Sequence, residues 1–304
     1  MQFDKLKSVL RSWYKGLFIW LDEFRFFFEA LQSYIREGAF FHGAALAYYT
    51  LFAMIPLMYL SISIFGRIVG QEFMVQVISD VLTDQIGLKD SSSVLSFLKG
   101  VSFDKPSWIM DLVSIVVLMY GGSAFFVSLK RSINDFFGIP RKRREEQNVV
   151  LSFLSFRFLS IGLLGLFSML VILFYFLQVF ILSAIDKWTA DIHFMSKALE
   201  YLSTIACNTL IFMLIFKYVH DGKVNWKLAF YGGSITAVLL FVTQLVIRYY
   251  LQHYFFLGKL GIAGSIFIIL AWVNYSAQMV FLGAKFTAML GARMGIPVSS
   301  RTNN

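Results

Sequence analysis

Charge is scarce in this sequence: 15% of its 304 residues are Asp, Glu, Lys or Arg, against about 25% in soluble domains. With 58% of the chain hydrophobic, too few polar residues remain to clothe a soluble core of this size. Cysteine is almost absent. Cys207 stands alone inside an apolar run, which excludes an internal disulfide and a thiolate metal cage. The four histidines, His42, His193, His220 and His253, form no HxxxH pair, so the spacing of a zinc site is missing. There is no G-x-S-x-G elbow and no phosphate-loop lysine, so the common signatures of acyl and nucleotide hydrolysis are missing as well. No cofactor is expected. The first residues mix charges with aromatics from Met1 to Glu37, which does not read as a cleavable leader.

What is abundant is apolar length. A helix crossing the hydrocarbon core needs about 20 mostly apolar residues. Six runs qualify: Phe40–Gly66, Trp108–Leu129, Val150–Leu182, Leu199–Val219, Leu228–Leu251 and Ile262–Leu290. The expected fold is therefore all-α, a polytopic membrane protein with six transmembrane helices. Residues 1–38 read as amphipathic interfacial helices. Leu6, Val9, Leu10 and Trp13 share one face of the first. Asp22, Glu23, Arg25 and Glu29 interrupt the Phe-rich stretch Leu17–Ile35 and make it a poor span. Residues 39–292 form the transmembrane domain, and 293–304 a cytoplasmic tail. After the first span, 67–106 reads as a small helical cap whose apolar stripe is Phe73, Met74, Val77, Ile78, Val81 and Leu82. Packing on the helix ends, or docking an envelope protein, are both open to it.

The net charge is +9. Nineteen of the 27 Lys and Arg fall on one side of the six-span topology, and such residues accumulate in the cytoplasm. Both ends are therefore expected inside. The Arg141-Lys142-Arg143-Arg144 cluster sits beside a span on that side, and anionic headgroups explain it better than nucleic acid. Membrane phospholipid is the expected partner.

Polar residues inside the runs mark the candidate site. Asn208, Gln244 and Asn274 fall near the middle of the last three spans. Gln278 and Lys285 continue the Asn274 face, and Arg248 follows Gln244 by one turn. Such groups turn away from lipid, either to join helices by hydrogen bonds or to line a groove. Arg248, near the outer end of its span, is the expected headgroup contact. Pro56, Gly121, Gly122, Gly258, Gly261 and Gly264 are the candidate hinge or close-packing positions.

Several segments together resemble the YihY/BrkB family of bacterial inner-membrane proteins. They are Ala44 to Ala53 (AALAYYTLFA) with Pro56; Tyr120-Gly121-Gly122-Ser123 leading to Asn134 and Phe137-Gly138; Lys217-Tyr218-Val219 with Val224-Asn225-Trp226 and Gly232; and Gly258 to Gly264 with Trp272 and Leu282-Gly283-Ala284-Lys285. Relatives often carry an acidic residue where this chain has Lys285, a departure that argues against a proton relay there. The resemblance covers roughly Ala39 to Leu290. It implies a six-helix inner-membrane protein linked with envelope lipid handling. The family has also been labelled ribonuclease BN, an activity for which the residues above offer no machinery. No catalytic residues carry over.

Overall fold

The computed structural model describes residues 25–86, 94–96, 108–140, 169, 173, 180, 193–254 and 261–300. Helix α1 covers 25–36. Phe26, Ala30 and Tyr34, one turn apart, are its buried stripe, and Arg25 braces Glu29 across one turn at 3.0 Å. A tight turn at Glu37-Gly38 reverses into α2, Ala39–Leu60. This helix carries no charged residue and contains the buried Pro56. Proline has no N–H to donate, so one rung of the helical ladder is absent there. A π-helical turn, Ser61–Phe65, follows, then the short α3, Gly66–Val69.

Helix α4, Gln71–Asp80, runs on into a second π turn, Val81–Gln85. Its apolar residues divide between two faces, where one stripe was expected. Val75, Ile78 and Leu82 are buried, while Phe73, Val77 and Val81 point outward at 57%, 38% and 45% exposure. Successive positions lie about 100° apart on a helix, so only one of the two adjoining rows can reach the bundle.

Four long helices follow: α5, Trp108–Phe136; α6, His193–Tyr218; α7, Trp226–Tyr254; and α8, Gly261–Arg293. Asn225 caps α7, its side-chain oxygen accepting from the Lys227 N–H at 3.0 Å. Helix α8 ends on Gly295, whose φ is 71°. There Ile296 N–H returns to the Gly291 carbonyl at 2.9 Å and Gly295 N–H to Ala292 at 3.3 Å. This closing motif needs the left-handed conformation that glycine adopts without penalty. Beyond it, Ser299–Ser300 (β2) pairs antiparallel with Gly222–Lys223 (β1), tying the end of α8 to the α6–α7 turn.

Helix α8 is central: it packs on α2, α5 and α7, while α5 also lies along α2 and α6 along α7. Glycines set these distances. A Cβ at Gly233 would stand 2.7 Å from the Met213 nitrogen and 2.9 Å from the Thr209 carbonyl on α6. One at Gly121 would stand 3.1 Å from the Ala53 nitrogen on α2. Helix α5 runs unbroken through Gly121 and Gly122, both buried. Between α7 and α8 the fit is reciprocal. Thr287 fills the space over Gly232, and Thr236 the space over Gly283. Each threonine hydroxyl donates back to the glycine carbonyl one turn earlier on its own helix.

The outside of this bundle is greasy. Every residue from Trp108 to Tyr120 except Asp111, Ser114 and Leu118 is exposed. Aromatics band both ends: Tyr218, Trp226 and Tyr231 at one, Trp108, Tyr201, Tyr249 and Tyr250 at the other, all at least 45% exposed. From Trp226 to Tyr249 a helix rises about 35 Å, close to the hydrocarbon thickness of about 30 Å plus its margins. Five described helices are long and apolar enough to cross: Ala39–Ile64, Trp108–Phe136, Lys197–Tyr218, Trp226–Leu251 and Gly261–Arg293. The expected span Val150–Leu182 lies outside the described residues, except that Met169, Leu173 and Phe180 are helical and exposed. The expected helix Lys5–Lys15 and Gly258 also lie outside them.

Candidate functional site

Three of the expected site residues line up on α8. Helix α2 meets this face at Gly43, where a Cβ would stand 2.7 Å from Asn274 Oδ1 and 3.1 Å from Gln278 Cγ. The missing side chain therefore lets the two backbones close over the amides. Gln278 is buried. Asn274 Oδ1 is buried too, yet has no hydrogen-bond partner among the described residues. The same holds for Trp272 Nε1 and Ser276 Oγ, so three unmatched polar atoms fall within five residues near the middle of the span. A buried group left unpaired costs about 1–3 kcal/mol, and an apolar side chain in its place would avoid that cost.

Burial along α8 changes at this point. From Ala277 to Thr287 it is enclosed, with only Met279 and Lys285 half-buried. From Leu270 to Ser276 every residue is half-buried or exposed, although Trp272 and Val273 pack on the α4-side core and Gly43 of α2 lies against Asn274. The central helix of the bundle is thus less enclosed at mid-depth, where its unmatched polar atoms are nonetheless buried. Gly264 is buried at the start of α8, one turn after its first residue, Gly261.

The other expected residues do not join this row. Asn208 is half-buried on α6 beside Thr209, which faces α7. Gln244 and Arg248 are half-buried on the half of α7 nearer α4, flanking Ile247 and Leu251, which pack with Ile268, Ile269 and the α4 core.

One end of the bundle is latched by charge. Lys285 pairs with Glu37 in the α1–α2 turn. Lys130 on α5 holds Asp221 at 2.7 Å, while Asn134 donates to the Asp221 carboxylate at 2.8 Å and accepts its N–H at 2.9 Å. Burial works to raise the Asp221 carboxyl, but the hydrogen bonds from Lys130 and Asn134 and the Lys130 charge outweigh it, leaving the group below the usual carboxylate range. Next to it, buried His220 donates from Nε2 to the Phe216 carbonyl at 2.7 Å and accepts the Gly222 N–H on Nδ1 at 2.9 Å, which defines a neutral ring. His42 shares a 2.8 Å hydrogen bond with Ser132 between Phe136 and Phe281. Burial pushes the Tyr34 phenol up. Among the described residues, no three His, Cys, Asp or Glu gather where a metal could sit.

The opposite end carries a constellation that sequence reasoning missed. Asp111, in the first turn of α5, accepts from Ser63 at 2.7 Å, Tyr59 at 3.1 Å and Arg67 at 3.2 Å. Four-residue steps on an α-helix drift by about 40°; the wider π turn Ser61–Phe65 offsets that drift and keeps Tyr59, Ser63 and Arg67 in one line. The signal was present: Asp111 is the sole charge between Trp108 and Lys130, and an acid in so apolar a helix requires a partner.

Long apolar helices, aromatic bands and a lipid-facing exterior define a polytopic α-helical membrane protein. The family described as virulence factor BrkB matches residues 30–303, and the chain belongs to it. It is similar to UPF0761 membrane proteins of Saccharophagus degradans, 25% identical over 278 residues (91% of this chain, 62% of that protein), and Chromohalobacter salexigens, 22% identical over 266 residues (87% and 63%). That of Pseudomonas aeruginosa (strain LESB58) is 25% identical over 264 residues (86% and 61%). The chain spans about three fifths of the length of these curated relatives. None of their names states an activity. No solved structure matches the chain.

Proposed function

We propose that this chain is a non-enzymatic protein of the bacterial inner membrane that binds and moves phospholipid. The observation that carries this reading is the set of three buried, unmatched polar atoms of Trp272, Asn274 and Ser276 on α8, in the less enclosed stretch Leu270–Ser276 of a bundle whose exterior is apolar. A headgroup passing the bilayer midplane needs such groups, and its acyl chains need the greasy flank beside them.

Six crossings with both ends inside complete the proposal. Asp221, after α6, is bound to Lys130 and Asn134 near the end of α5, so α5 and α6 both finish at the same end of the bundle. That shared end supports a sixth crossing between α5 and α6. Lys130, Lys217, Lys223, Lys227, Lys285 and Arg293 gather at that shared end, as the cytoplasmic side requires.

Native mass spectrometry of protein released gently from membranes tests lipid binding, comparing wild type with Arg248→Ala. A co-purifying phospholipid, weakened in the variant, is expected. Protein free of lipid in both forms would refute the reading and favour a water-soluble solute as cargo.

A further inference from the structure

We propose that Arg67 holds a phosphate group at the α4 end of the bundle, with Asp111 and Ser63 acting as the positioning residues for its guanidinium. The inference rests on the lipid-handling reading for its favoured ligand, the phosphate of a phospholipid headgroup; free phosphate shares the same chemistry.

Three features converge. Only Nη2 of Arg67 is engaged, by Asp111 at 3.2 Å and Ser63 at 3.5 Å. Its Nε and Nη1 donors have no partner among the described residues, and the side chain is 55% exposed. The guanidinium is thus fixed at one corner and open along its other edge, the fork geometry that grips a phosphate through two parallel hydrogen bonds. Second, Asp111 cannot easily leave: its Oδ1 is held by Tyr59 of α2 and Ser63 of the π turn, so the carboxylate stays fixed beside Arg67 and the arginine is aimed without being consumed. Third, the site lies at headgroup level. Trp108, one turn from Asp111, is 74% exposed, and Ile64 and Leu112 offer apolar surface to acyl chains on either side. A plain structural ion pair would require the same bond to Asp111 but would be indifferent to what reaches the open edge.

The test uses the full chain in detergent and three probes: phosphatidylglycerol, diacylglycerol with the same acyl chains, and inorganic phosphate. Wild type is expected to prefer the phosphate-bearing lipid by roughly tenfold or more, the range of a charge-assisted hydrogen-bond pair. Arg67→Gln should erase that preference, and Arg67→Lys, which keeps charge but not the fork, should restore part of it. Melting of each variant, followed separately, identifies any general loss of fold. If Arg67→Gln melts like wild type and keeps the full preference, the site is overturned while lipid handling stands. If wild type takes up neither lipid, lipid handling falls and the lipid source falls with it. In that case, inorganic phosphate bound by wild type and lost in Arg67→Gln would assign the site to free phosphate, and its absence would overturn the site as well.

Discussion

Replacing Gly233 by alanine puts a methyl group against backbone. The added Cβ would stand 2.7 Å from the Met213 nitrogen and 2.9 Å from the Thr209 carbonyl oxygen. Ordinary contact begins near 3.4 Å, so α6 and α7 must part by about 0.7 Å. No side chain can rotate away, because both obstructing atoms belong to a helical ladder. Overpacking of this kind costs about 1–3 kcal/mol, while alanine recovers about 1 kcal/mol of helix propensity over glycine. A net loss of up to about 2 kcal/mol follows, or several degrees of melting temperature at roughly 2–4 °C per kcal/mol for larger domains. The chain supplies its own reporter: Cys207, its one cysteine, is buried on α6, so a dye that fluoresces on reaction with thiols reads unfolding directly. Gly70→Ala is unsuitable as a control because φ is 101° there; Ala44→Ser, exposed on α2, serves. A Gly233→Ala protein melting above wild type would refute the close approach of α6 and α7.

Asn274→Leu removes an unmatched buried oxygen and should raise the melting temperature while slowing lipid movement, a trade expected where polarity serves function; a variant both less stable and fully active would contradict it. Because the folded Asp221 carboxyl lies below its ordinary value, its contribution is complete above about pH 4 and fades as pH falls through the folded value. Melting measured from pH 7 downward should show part of the acid loss vanish in Asp221→Asn, and an unchanged profile would discount the clip. Gly295→Ala forces a β-carbon into a φ of 71°, costing about 1–2 kcal/mol; a melting curve identical to wild type would remove the glycine from the closing motif of α8.

The spans were legible because hydrophobic length is a local property. Phe40–Gly66, Leu228–Leu251 and Ile262–Leu290 read from sequence lie within a few residues of Ala39–Ile64, Trp226–Leu251 and Gly261–Arg293. So was the α8 face, since Asn274 and Gln278 repeat at one turn. The pairings were not. Glu37 with Lys285, Asn134 with Asp221, and Arg67 with Asp111 are far apart in the chain, and only the order of helices in the bundle decides which charges meet. Nor was it legible which part of the α4 stripe the bundle covers: Val75, Ile78 and Leu82 are buried while Phe73, Val77 and Val81 are exposed, and sequence periodicity cannot tell one row from the other. Asn208 and Gln244 share mid-span polarity with Asn274, and Arg248 follows Gln244 by one turn, but separate helices keep them from forming one row with it.

Movement of a fluorescent phospholipid between leaflets of liposomes holding the purified chain tests the central claim most directly. The account predicts faster movement than in protein-free liposomes, reduced in Asn274→Leu although that variant is folded. Wild-type protein that melts cooperatively yet moves lipid no faster than empty liposomes would contradict it.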